Sequence, residues 1–96
     1  MQIECVRERE RNGGWSFDLQ VIDGEGALHR YELTLAWADY NLWSSSGADR
    51  PAAVAIAVLA FLLGRRDPAD LRPRFDAAIA RRIAPGADSE IPGLIV

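Results

Sequence analysis

The sequence predicts a small α+β domain. It reads as a three-stranded antiparallel meander over about residues 2–10, 15–22 and 28–37, packed by an apolar helix over about 50–63 and a C-terminal helix over about 74–84. Three observations predict this. Trp15, Phe17, Leu19 and Val21 alternate with polar residues, as do Tyr31, Leu33, Leu35 and Trp37, the period of half-buried strands. Asn12-Gly13-Gly14 and Asp23-Gly24-Glu25-Gly26 separate the runs with residues that tolerate the positive φ of a hairpin turn. Finally, Pro51–Leu63 (PAAVAIAVLAFLL) carries no charge at all.

The first strand, 2–10, has Ile3 and Cys5 as its apolar members, followed by alternating Arg and Glu to Arg11. Such a charge pattern suits an edge strand, because it discourages pairing with a second chain. Three strands with one apolar face need a cover, and the 51–63 segment is the candidate. Between them, residues 38–49 hold Tyr40 and Trp43 three apart, the spacing of a single helical turn closing the end of the sheet. Ser44-Ser45-Ser46-Gly47 reads as a flexible connection over 44–48.

Asp49 is placed to cap the apolar helix, Pro51 falls in its first turn where a missing N–H costs nothing, and Gly64 is expected to end it in a left-handed conformation. Its alanines (52, 53, 55, 57, 60) are the only tolerable surface it offers. Val54, Val58, Phe61 and Leu62 are expected on the sheet. Ile56, Leu59 and Leu63 then need a second cover, from the C-terminal helix or from another subunit.

Asp67-Pro68-Ala69-Asp70 resembles a helix start, and Pro73 limits it to a turn over 68–72. Phe75, Ile79 and Ile83 recur every four residues, the buried stripe of a helix from about 74 to 84 that Pro85-Gly86 stops. The 87–96 tail, ending Ile91-Pro92-Gly93-Leu94-Ile95-Val96, is unusually apolar.

Ninety-six residues suit a single domain, 1–96, and 49% apolar with 26% charged residues is an ordinary globular composition. The net charge of −3 argues against a general nucleic-acid binder. It is unevenly spread: residues 1–49 hold four Arg against nine acids, residues 50–96 seven Arg against five. Cys5 is the lone cysteine, so neither an internal disulfide nor a thiolate metal cluster is available. MQIECVRERE lacks the apolar stretch of a signal peptide, and Pro51–Leu63 is shorter than the roughly twenty apolar residues that cross a bilayer. The expectation is a cytoplasmic protein with no membrane partner.

From Tyr40 to about Ile91 the chain resembles a family of small uncharacterised bacterial proteins. In that family a strand pair precedes a helix with a Phe-x-Phe-Leu-Leu-x-Arg-Glu motif, then Phe-Asp, then Phe-Pro. The matching residues here are Pro51, Leu59–Arg66, Phe75-Asp76 and Ala84-Pro85, with Leu59, Gly64, Arg66 and Ala84 departing from the pattern. The resemblance implies two helical segments and no reaction, cofactor or substrate.

No motif carries an unambiguous chemistry. Gly24-x-Gly26 has His29 where a dinucleotide fingerprint needs glycine, and it leads into a strand. One His and one Cys make no metal cluster, so no cofactor or metal is expected. Three functions stay open. The first is a non-enzymatic interaction module, self-associating or binding a protein partner through Trp37, Tyr40, Trp43, Leu59 and Phe61. Second is an anionic-ligand or weak nucleic-acid binder using Arg65, Arg66, Arg74, Arg81 and Arg82, with Arg72 beside them. The third is an enzyme using His29 with a serine and an aspartate, although no serine lies in a nucleophile elbow.

Overall fold

The computed structural model describes residues 2–96. The chain runs β1 (Gln2–Arg11), β2 (Gly14–Ile22), β3 (Leu28–Ala36), α1 (Trp37–Trp43), α2 (Pro51–Leu63), a 3-10 turn (Pro68–Asp70), β4 (Arg74–Asp76), α3 (Ile79–Ile83) and α4 (Ala87–Leu94). The expected α+β meander is present: β1, β2 and β3 are antiparallel neighbours, with Trp15 opposite Leu35, Phe17 opposite Leu33 and Leu19 opposite Tyr31. These paired residues share one face and are all buried. Burying a side chain such as Phe17 or Leu33 completely stabilises the fold by about 1.5–3 kcal/mol.

Both hairpins form where the glycines place them. Gly13 and Gly26 sit at φ 87° and 82°, where only glycine enters freely. Gly14 has a different role: a Cβ there would overlap the carbonyl oxygen of Leu35, so the close pairing of β2 with β3 demands its absence. In β1 the register shifts between Cys5 and Arg7. Val6 is the unpaired extra residue of a bulge, and beyond it Arg9 joins Asp18 on the opposite sheet face.

That opposite face is polar. Arg9 grips Asp18 with two hydrogen bonds of 2.9 and 3.0 Å, and Ser16 donates to Glu32 at 3.3 Å. The Arg9 guanidinium holds the Asp18 carboxyl below its usual value of 3.8. At the β2–β3 turn, Asp23 is lowered as well, first by His29 and then by the N–H groups of Ala27 and Glu25. A depressed folded-state pKa gives stability that is complete above the unfolded value and lost as pH falls through the folded one. Urea midpoints are therefore expected to hold down to about pH 4 and fall below it. Asp18→Asn and Asp23→Asn variants are expected to fall less steeply; equal slopes would show that neither pairing matters.

The helices cover the apolar face. Pro51 occupies the first helical position of α2 as expected, while Asp49 makes no side-chain cap. Its carboxylate instead accepts from the Ser44 hydroxyl at 2.7 Å, and its backbone oxygen accepts from the Tyr40 hydroxyl. The 44–48 connection is thus a turn with internal ties, Gly47 N–H donating to the Ser44 oxygen at 3.1 Å. Gly64 is right-handed, at φ −73°, because the chain continues through another helical turn: Arg65 and Arg66 N–H both reach the Leu62 oxygen.

The second cover of α2 comes from its own chain. It packs on β1 and β2 on one side and on α4, α3 and α1 elsewhere, leaving only Pro51, Ala53, Ile56 and Ala60 partly accessible. A helix apolar all round is a buried helix, and here the burial is intramolecular.

The C-terminal third departs from expectation. Residues 74–84 are not one helix: Arg74–Asp76 forms a strand parallel to β3, with Leu33 opposite Phe75, and helix begins only at Ile79. Tertiary pairing overrides the four-residue spacing. Phe75 projects from the strand against Tyr31, ring centroids 6.0 Å apart, and Ala77 N–H continues the ladder to the Thr34 oxygen at 2.8 Å. The tail contains helix α4, which buries Ala87 and Ile91. No helix among the described residues is long and apolar enough to cross a membrane.

Candidate binding surfaces

The aromatic residues around α1 divide into plug and surface. Trp43 is fully buried, its indole N–H donating to Asp88 at 2.9 Å, and Tyr40 is buried with its hydroxyl tied to the 44–49 turn. Both close the end of the sheet. Trp37 does not lie on the sheet face with them. Its N–H still completes the ladder, donating to the Gly13 oxygen at 2.9 Å, but there the chain turns into α1 and the side chain is 52% exposed. Its ring leans on Trp15, centroids 4.7 Å apart, and lies edge-on to Tyr40 at 5.9 Å. Along the same outer side of α1 run Ala38, Asn41 and Leu42, the last 51% exposed. Helical spacing puts 38, 41 and 42 together, with Trp37 one turn from Asn41. The result is a small apolar surface around a tryptophan held by two neighbouring rings.

Leu59 and Phe61, expected to meet a partner, are 0% and 2% exposed. They belong to the core, because α3 and α4 fold back over α2 and supply the cover that a second molecule was expected to give.

The arginines also divide. Arg81 donates to Asp39 at 2.7 Å and to Asp88 at 2.9 Å, and its guanidinium lies 4.9 Å from the Trp43 ring. It ties α1, α3 and α4 together, and Asp39, 9% exposed, is satisfied by it. Arg65 pairs with Glu90 at 2.6 Å and covers Phe61 at 4.1 Å. These two are committed within the fold. Arg66 is exposed, and among the described residues its side chain reaches only the Arg65 oxygen. Arg74 has a 3.7 Å contact with Glu32 and is otherwise open, its side chain 84% exposed. With Arg72 and Arg82 it rims a groove of about 480 Å³ whose other walls include Phe75, Asp76 and Ile79. Among the described residues, Arg72 and Arg82 make no ion pair. The sequence marks these arginines by charge, but it assigns Phe75 to a helix, so the groove itself is not visible there.

His29 lies within 2.9 Å of Asp23 Oδ2 at the β2–β3 turn and borders a shallow groove shared with Pro68 and Leu71. Three serines that such an enzyme could draw on are engaged elsewhere: Ser16 with Glu32, Ser44 with Asp49, and Ser46 with the Ala48 N–H. The arrangement is a turn clamp, with Asp23 accepting from two backbone N–H groups through its other oxygen. Burial pushes the half-buried Cys5 thiol up from its usual 9.0, leaving it protonated near neutrality. No group of three or more metal-ligating side chains gathers among the described residues. No family model, curated protein or solved structure matches the chain.

Proposed function

We propose that the protein is a small non-enzymatic interaction module that meets a protein partner through the outer face of α1. The observation that carries this reading is Trp37, half exposed yet propped by Trp15 and Tyr40. A tryptophan already held in place loses little freedom on binding, and tryptophan is among the residues that contribute most at interfaces. Leu42 and Ala38 extend the apolar contact. Self-association belongs to the same reading only through this face, since α2 is covered by its own chain. A reducing, cytoplasmic setting is part of the proposal and is supported by the lone thiol. The resemblance of residues 40–91 to small bacterial proteins implies no activity and leaves the reading with the surface.

The test uses a Trp37→Ser/Leu42→Ser double variant. Leu42 is exposed and Trp37 half exposed against Trp15 and Tyr40, so the variant is expected to unfold at a lower temperature than wild type yet stay folded under the assay conditions, which circular dichroism checks. Photo-crosslinking from position 38 in the source cell is expected to yield one dominant protein adduct, a second copy or another protein, that the double variant loses at least tenfold. Adducts equally abundant in both, or none, would end the proposal.

A further inference from the structure

We propose that the free edge of β4 is a docking site for an extended acidic peptide segment, which adds as a fifth strand beside Arg74–Asp76. This surface is separate from the α1 face and does not depend on it.

Three observations support the proposal. First, the edge has backbone groups to offer. Glu32 N–H donates to the Pro73 oxygen at 2.7 Å and Ala77 N–H to the Thr34 oxygen at 2.8 Å, so residues 73, 75 and 77 face β3. Alternation then points the N–H and C=O of Arg74 and Asp76 outward. No turn or helix among the described residues bonds them. An incoming strand would take up four bonds there.

Second, the charge around that edge is predominantly positive, three arginines against Asp76 in the groove and Glu32 at 3.7 Å from Arg74. Arg72, Arg74 and Arg82 surround the groove, and its only carboxylate, Asp76, is engaged by the Thr34 hydroxyl at 2.6 Å and the Ala78 N–H at 3.0 Å. The other edge of the sheet is guarded differently, by mixed charges along Arg7–Arg11 and by the bulge at Val6. The excess of arginine favours an incoming segment that carries aspartate and glutamate over a second copy of β4, which would bring Arg74 of its own. Guanidinium also suits carboxylate by its paired donors.

Third, the floor is apolar. Phe75 and Ile79 are half-buried in the groove wall, giving an apolar side chain of the peptide a place between the acidic ones. An alternating acidic–apolar segment matches the period of two that a strand imposes.

The experiment titrates the full chain with the peptide acetyl-Asp-Val-Glu-Val-Asp-amide and follows backbone amide shifts. The expected result is saturable shifts concentrated at residues 72–79. Each of Arg72→Gln, Arg74→Gln and Arg82→Gln is expected to weaken binding by up to about fivefold, the range of exposed ion pairs. A peptide N-methylated at the first valine and at the adjacent glutamate keeps the charge but loses strand hydrogen bonds on whichever edge it presents, and is expected to bind at least tenfold more weakly. Equal binding of the methylated peptide would reduce the site to charge alone and overturn the strand proposal. A single-stranded oligonucleotide of equal charge binding as tightly at the same residues would also overturn it. So would the absence of shifts at millimolar peptide. Loss of the α1 crosslink in the Trp37→Ser/Leu42→Ser variant has no bearing on these outcomes.

Discussion

Replacing Trp43 by alanine is expected to lower the unfolding free energy by about 3–5 kcal/mol, the usual cost of removing a buried large aromatic. A domain of this size holds roughly 5–15 kcal/mol in total, so the variant would lie near the edge of folding. The reason is position as well as volume. Trp43 is 0% exposed at the point where α1 and α4 meet over the end of the sheet. Its N–H donates to Asp88, and Arg81, which also binds Asp88, lies over its ring. Truncation therefore opens a cavity and removes the apolar floor of a charged cluster whose innermost member is Asp39. Trp43→Phe separates the two effects. It keeps most of the ring, loses the N–H bond and leaves Asp88 with Arg81, so about 1–2 kcal/mol is expected. Equilibrium unfolding in urea measures both, with Trp15 and Trp37 remaining as fluorescent reporters. An alanine variant losing under about 1 kcal/mol would show that the end of the sheet closes without this plug.

The strands were legible because their signal is local. Period-two alternation over 15–21 and 31–35 and two glycine turns specify a meander with no knowledge of the remainder. The apolar helix was legible for a similar reason, since Pro51 begins it and no polar residue interrupts it. What escaped depends on distant partners. Three residues of strand, Arg74–Asp76, carry no measurable period, and their pairing with β3 spans some forty residues of chain. Phe75, Ile79 and Ile83 satisfy a helical spacing by coincidence, one being on a strand. The helix α4 was hidden by its own composition. Pro92 and Gly93 read as breakers, yet Pro92 sits late in a two-turn helix that is held by Ile91 and Ala87 against the core. Trp37 shows how a correct pattern can mislead by one residue. Its backbone is still in the ladder, and only its side chain has left the sheet. That single step decides between the two places the sequence leaves open for Trp37, the sheet's apolar face and a binding surface, in favour of the exposed one.

The same folding-back decides what happens when α4 is taken away. Ending the chain after Ala84 is expected to convert the protein into one that associates with itself. α4 is the principal helical neighbour of α2, burying Ile91 completely and placing Glu90 against Arg65. Without it, α2 loses its principal helical cover, Phe61 beside Glu90 and Leu94 included, and contiguous exposed apolar surface of that kind drives association. Ile91→Ala is the milder form. It is expected to cost about 2–5 kcal/mol while the helix stays docked, so the variant remains in the wild-type association state but unfolds earlier in urea. Sedimentation velocity at rising concentration distinguishes the two, and binding of an apolar dye reports the exposed surface. A truncated chain that sediments as wild type and binds no dye would mean that α2 is covered without α4. If the expected result holds, the greasiest stretch of the sequence is a core element whose partner is encoded thirty residues later in the same chain. Recognition of other molecules is then left to α1 and to the edge of β4.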